Sequence, residues 1–76
     1  MLHPMNARQC KMARDGLGLT GRDLAAIAGV PYATLARFEA GSSIRPETVA
    51  KLADTLAAKG AQFVIGADRF GVTVPD

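Results

Sequence analysis

Along most of this chain the apolar positions recur at spacings of three and four, the repeat of one helical face, and after Gly60 they alternate instead. From Asn6 to Asp15 there is no Gly or Pro, and Cys10, Ala13 and Leu17 fall on one stripe. A first helix is predicted there, with Pro4 just ahead of it and fraying at Gly16 and Gly18. Thr20 is a good N-cap, and Asp23 three residues later returns a hydrogen bond in the manner of a capping box. Leu24, Ala25 and Ala28 give the second helix a narrow apolar stripe, and Gly29 ends it. Val30-Pro31 restarts the chain with Pro at an early helical position, and the third helix runs through Ala40 to a stop at Gly41. It turns Val30, Leu35 and Phe38 inward and leaves Tyr32, Ala33, Ala36 and Arg37 on the other face. Pro46 and Glu47 open a fourth helix, with Val49, Leu52, Ala53 and Leu56 inside and Gly60 as its stop. Beyond it Phe63 and Ile65 alternate with Gln62 and Val64, residues 66–71 read as a turn, and Val72-Thr73-Val74 forms a second strand. The architecture predicted is mainly α: four short helices and a C-terminal β-hairpin. An isolated two-stranded hairpin is barely stable in water, so this one needs either the helical body or a second chain.

Composition narrows the class. Seventy-six residues make one small domain, and 49% apolar with 21% charged residues is a globular balance. Aromatics are only 5%, with no Trp, so small and aliphatic side chains must build the core, which favours closely packed short helices. Cys10 has no cysteine partner, and Cys10 with His3 is too few ligands for a structural metal site. A reducing compartment is expected. No apolar run approaches the roughly 20 residues of a membrane span, and the start lacks the charged and apolar regions of a secretory signal. A soluble, cytoplasmic protein without membrane contact is therefore expected. The net charge is +2, but residues 1–45 carry six cations against three anions, whereas the remainder carries three against four. Any basic face lies in the first 45 residues, where a polyanion would meet it.

Two short helices joined through Gly29-Val30, the second amphipathic and flanked by a helix on each side, match a helix-turn-helix unit. Ala25 fits that unit, since a small side chain lets the two helices cross closely. The spacing also fits an ordinary four-helix domain in which Ala and Gly merely pack. Catalytic chemistry has little to work with: there is no nucleophile paired with a base, no carboxylate pair at a fixed helical spacing and no phosphate-cradling glycine loop. No enzyme and no cofactor are expected.

The residues Ala13-Arg14, Leu17-Gly18-Leu19-Thr20, Asp23-Leu24-Ala25, Ala28-Gly29-Val30, Thr34-Leu35, Arg37-Phe38-Glu39-Ala40-Gly41 and Arg45-Pro46-Glu47-Thr48 stand in one register without gaps. Together they resemble the Cro/C1-type helix-turn-helix family of phage repressors and small bacterial regulators, over the stretch from Cys10 to about Leu56. The resemblance implies the lambda-repressor-like DNA-binding fold, with residues 1–60 as the DNA-binding domain and the hairpin 61–76 as a dimerisation element. It implies that the helix beginning at Pro31 lies in the major groove of double-stranded DNA, with Tyr32, Ala33 and Arg37 at base edges. Arg37 can donate two hydrogen bonds to a guanine; otherwise it is a solvated arginine beside a carboxylate. Tyr32 meets a sugar or a thymine methyl, or else packs over the seam between the two helices. Backbone contacts fall to Lys11 and Thr34, to N–H groups near Thr20, Gly21 and Arg22, and to Ser42, Ser43 and Arg45. Arg14 and Glu39 stand where the family ties the first helix to the recognition helix with an ion pair. Phe63, Ile65, Val72 and Val74 would join two chains of a homodimer on an inverted-repeat operator.

Two positions depart from the family's pattern. Gly21 stands where Gln usually clamps a phosphate and braces the recognition helix, and Pro31 replaces a capping Ser or Thr. With Ala33 and Ala36 also short, the reading face is poor in hydrogen-bonding groups, so binding would lean on dimer avidity and DNA shape. The competing reading is a protein-interaction module of the same fold, an antiactivator or antitoxin, which Gly21, Ala33, Ala36 and Ile27 would suit. In either reading the chain has no room for a separate ligand domain, and no small-molecule ligand is expected.

Overall fold

The computed structural model describes residues 5–76, so the expectations for His3 and Pro4 lie outside it. The elements are α1 (Ala7–Gly16), α2 (Gly21–Ala28), α3 (Tyr32–Glu39), α4 (Pro46–Ala58), β1 (Gln62–Ile65) and β2 (Phe70–Thr73). Four helices and a two-stranded antiparallel hairpin are what the sequence pattern predicts. Their boundaries move where capping decides them. Asn6 lies outside α1 as its cap: its side-chain oxygen accepts from the Gln9 N–H at 2.8 Å, and the Gln9 side chain accepts from the Asn6 N–H at 3.0 Å. Pro31 precedes α3 rather than sitting in its first turn. Its backbone is extended with ψ 136, and its carbonyl, not a side chain, closes the first turn by accepting from Thr34 at 3.0 Å and Leu35 at 3.2 Å. Helix α3 stops at Glu39, one residue short of Ala40.

The turn between α2 and α3 requires Gly29. At φ 70 it lets the Val30 N–H reach back to the Ala25 carbonyl at 2.9 Å, which closes the end of α2 and drops Val30 into the core. Gly41, at φ 105, does the same for α3, where the Ser42 N–H donates to the Arg37 carbonyl at 2.9 Å.

Leu24, Leu35, Leu52 and Leu56 are fully buried at the centre, one each from α2 and α3 and two from α4. Truncating any of them to Ala costs about 2–5 kcal/mol on the scale of core deletions. Cys10 and Ala13 of α1, Ala25 of α2 and Ala53 of α4 are buried among them, small enough for the helices to approach closely. Leu17 and Val49 pack against this core from its edge. Among the described residues no helix is long and apolar enough to cross a membrane.

The hairpin pairs Phe63 with Val72, Val64 with Gly71 and Ile65 with Phe70. Its turn is shorter than the predicted one, spanning residues 66–69, because the Gly66 N–H donates to the Arg69 carbonyl at 2.7 Å. Phe70 and Gly71 thereby enter the second strand, and Val74 falls beyond its end. Alternation places Phe63, Ile65, Phe70 and Val72 on one face. At its base Phe63, Val72 and Val74 pack against the helical core, and the Val74 methyls come within 3.1 Å of the space a Cβ on Gly16 would take. At its tip Ile65 is 59% exposed. Three of the four side chains expected at a joint between chains thus lie on the chain's own helices.

One polar side chain fastens this arrangement. Gln9 is fully buried, and its Nε2 donates to the carbonyls of Val64 at 3.2 Å and Gly71 at 3.0 Å, one from each strand. Its oxygen already accepts from Asn6, so a single amide caps α1 and holds the hairpin, with both its N–H donors and its oxygen engaged.

Candidate nucleic-acid interface

The site is built on the start of α2, the outer face of α3 and the loop leading into α4. At the start of α2 the Thr20 hydroxyl accepts from the Asp23 N–H at 3.0 Å, and the Asp23 carboxylate accepts from the Thr20 N–H at 3.1 Å. The backbone N–H of Thr20, with its hydroxyl second, holds the Asp23 carboxyl below its ordinary value of 3.8. The Thr20 N–H, expected among the backbone donors to phosphate, is therefore already engaged. The N–H groups of Gly21 and Arg22 remain without an intrahelical acceptor.

On α3 the predicted division of faces is the observed one. Leu35 and Phe38 are buried and Thr34 is half-buried, while Tyr32, Ala33, Ala36 and Arg37 are exposed. Arg37 forms no ion pair with a described residue. It lines a cleft with Pro31, Thr34, Ser43, Ile44, Arg45 and Thr48, so Thr34, Arg37, Ser43 and Arg45, four of the expected contacts, come together in one place. Ser42 and Lys11 are exposed but line neither this cleft nor the one on the other side of α3.

That second cleft runs between α3 and the α1–α2 loop, with Thr20, Gly21, Tyr32, Ala36, Arg14 and Glu39 among its walls. Tyr32 leans across it onto α2. A Cβ on Gly21 would stand 3.0 Å from Tyr32 Cε1, so the ring lies close over this glycine. The Arg22 guanidinium carbon lies 4.4 Å above the centre of the same ring. Of the two sequence readings for Tyr32, the observed contacts are those of a ring over the helix seam.

Beneath this cleft Arg14 Nε donates to Glu39 Oε2 at 3.0 Å and Nη2 to Glu39 Oε1 at 2.9 Å, with both side chains 13% exposed. Arg14 Nη1 also donates to the Leu19 carbonyl at 3.1 Å, tying α1, α3 and the loop between α1 and α2. The bond to Glu39 raises the affinity of the guanidinium for its proton. The Glu39 carboxylate receives a third donor at Oε2, the Cys10 thiol at 3.6 Å. Burial first, then the Glu39 charge, push that thiol up to about 12. Arg14 is thus a bracing cation, whereas Arg22, Arg37 and Arg45 have no carboxylate partner among the described residues.

Sequence reasoning overlooked Gln9 and the Arg22–Tyr32 stack. A signal existed for the first, since Asn6 and Gln9 have capping-box spacing. The second depends on a missing side chain at Gly21, which a linear pattern registers only as a gap.

No curated protein matches the chain. A family model described as helix-turn-helix matches residues 11–61, from within α1 through the whole of α2, α3 and α4. With its paired short helices, glycine turn and exposed third-helix face, the chain belongs to the Cro/C1-type helix-turn-helix family of DNA-binding regulators.

Proposed function

We propose that the protein is a sequence-specific transcriptional regulator that binds an inverted-repeat operator as a homodimer, reading bases through α3. The observation that carries this reading is the cleft beside the exposed face of α3, where Arg37 and Arg45 converge with Thr34 and Ser43 and no carboxylate stands among the described residues that line it. Arg37 stands to donate a bidentate pair to guanine, a contact worth about 1–3 kcal/mol of discrimination, while Ala33 offers a methyl. Ser43, Arg45 and the N–H groups of Gly21 and Arg22 address the phosphates on either side.

Support for a dimer is geometric. The longest dimension of the domain is 31 Å, a size that allows one copy on each of two half-sites roughly 34 Å apart. Among the described residues neither outer edge of the hairpin has a strand partner, and Val64, Ile65 and Phe70 around its tip are exposed. A protein-interaction role has one observation in its favour: Ile27 on α2 is 52% exposed and stands outside both clefts.

Fluorescence-anisotropy titration against the DNA upstream of the gene, with wild type beside Arg37→Ala at several salt concentrations, tests the reading. Specific binding is expected to survive excess random DNA and to weaken by about tenfold or more in Arg37→Ala. Weak binding indifferent to sequence and to Arg37 would favour the protein-partner reading.

A further inference from the structure

The DNA-binding reading leaves the only tyrosine of the chain unexplained, because its ring faces α2 as much as the solvent. We propose that Tyr32 is a positioning residue: seated on Gly21, its ring holds the Arg22 guanidinium in place for a DNA phosphate, and Tyr32 itself reads no base. This inference rests on the proposed DNA binding and adds to it the residue that directs one phosphate contact.

Three observations carry it. The seat is close, since a Cβ at position 21 would stand 3.0 Å from Tyr32 Cε1 and the ring would have to shift by a few tenths of an ångström. The stack is direct, with the guanidinium carbon 4.4 Å from the ring centre, within reach of a cation–π attraction. Arg22 has no ion pair with a described residue, so the aromatic face is what restrains a long side chain that would otherwise sample many rotamers. A guanidinium stacked on a ring keeps its edge N–H groups directed outward, which suits a phosphate oxygen. Restraint before binding lowers the ordering penalty at the moment of binding.

The test is a double-mutant cycle in operator-binding titrations with wild type, Arg22→Ala, Tyr32→Ala, Tyr32→Phe and the double variant. Tyr32→Phe keeps the face and should bind as wild type does. Tyr32→Ala should lose about two- to fivefold in affinity, the same for operator and mutated operators. Arg22→Ala should lower the log–log salt slope by about 0.9, one phosphate, and Tyr32→Ala should lower it in the same direction. The double variant should bind no worse than Arg22→Ala. A ring that only supports the fold would lower the melting temperature and leave the slope alone.

A readout independent of DNA is available, because with one Tyr and no Trp the intrinsic emission of the protein comes from this ring. Arg22→Ala and Gly21→Ala should both make it easier for acrylamide to quench. Additive losses in the cycle, an unchanged salt slope, or a shift of base preference in Tyr32→Ala would overturn the proposal while leaving operator binding intact. Failure of the wild-type chain to bind any DNA specifically would overturn both readings.

Discussion

Removing one member of the Arg14–Glu39 pair leaves the other charged, mostly out of water and without its bonding partners. Arg14→Ala is expected to destabilise the domain by about 3 kcal/mol, read as a lower urea midpoint with unchanged slope. Arg14→Lys should recover little, since an ammonium cannot span both carboxylate oxygens and the Leu19 carbonyl. Cys10 beside them offers a second measurement. Its thiol is raised in the folded state, so the stabilising contribution is complete below the ordinary value of 9.0 and is lost as pH rises toward about 12. The urea midpoint should therefore fall over that interval in the wild type and stay level in Cys10→Ala. At neutral pH the same burial should make Cys10 unreactive toward thiol reagents until denaturant is added. The ion pair itself was legible, because the register of Arg14 and Glu39 resembled a family in which they meet. The thiol's bond to Glu39 was not, since it depends on how α1 and α3 cross.

Among the elements, the helices were the most readable part of the chain. Their apolar spacing and glycine stops are local properties, and local properties survive in a linear pattern. The capping box that opens α2 was equally local, and it carries its own pH signature. Because the Asp23 carboxyl is lowered in the folded state, the contribution of this cap is present above its ordinary value of 3.8 and is lost as pH falls below it. Protection of the Thr20 and Asp23 amides, taken relative to their intrinsic exchange rates, should fall in acid, an effect that Asp23→Asn should shrink. The hairpin was readable as a hairpin but not in its exact limits, since Gly71 reads as turn material yet lies opposite Val64. Least visible was Gln9, a polar residue whose partners stand 55 and 62 positions away. Gln9→Leu is expected to cost about 2 kcal/mol from lost hydrogen bonds. Hydrogen exchange should show the strands opening before α2 and α3, since the substitution removes the tie between the hairpin and α1.

For the whole molecule, the hairpin packs on the helices and is also the proposed joint between chains, and a single deletion cannot separate the two. Truncation after Lys59 would remove Phe63, Val72 and Val74 from the helical core along with any joint between chains. Substituting the exposed tip is cleaner. Ile65→Lys is expected to sediment as a monomer and still to unfold cooperatively, with a melting temperature that no longer depends on protein concentration, because the side chain is 59% exposed in the single chain. A variant that still sediments as a dimer would move the joint to another surface, with Ile27 the first to test. The separation of charge along the chain, six cations against three anions up to residue 45, also puts the basic side chains on the helical domain and leaves the hairpin nearly neutral. Strands that carry little charge can approach one another on a polyanion without repulsion.

The Gln9 amide also decides what kind of instrument a pair of these chains would be. Because it fixes both strands to α1, a dimer joined at the hairpins has no slack between its two reading helices and behaves as a caliper with set jaws. Each base pair inserted between the half-sites turns the second one by about 35° away from its helix. Affinity plotted against operator spacing should then show one narrow peak and recover, if at all, only a full helical turn away. In Gln9→Leu the jaws loosen, and the peak should broaden as it falls.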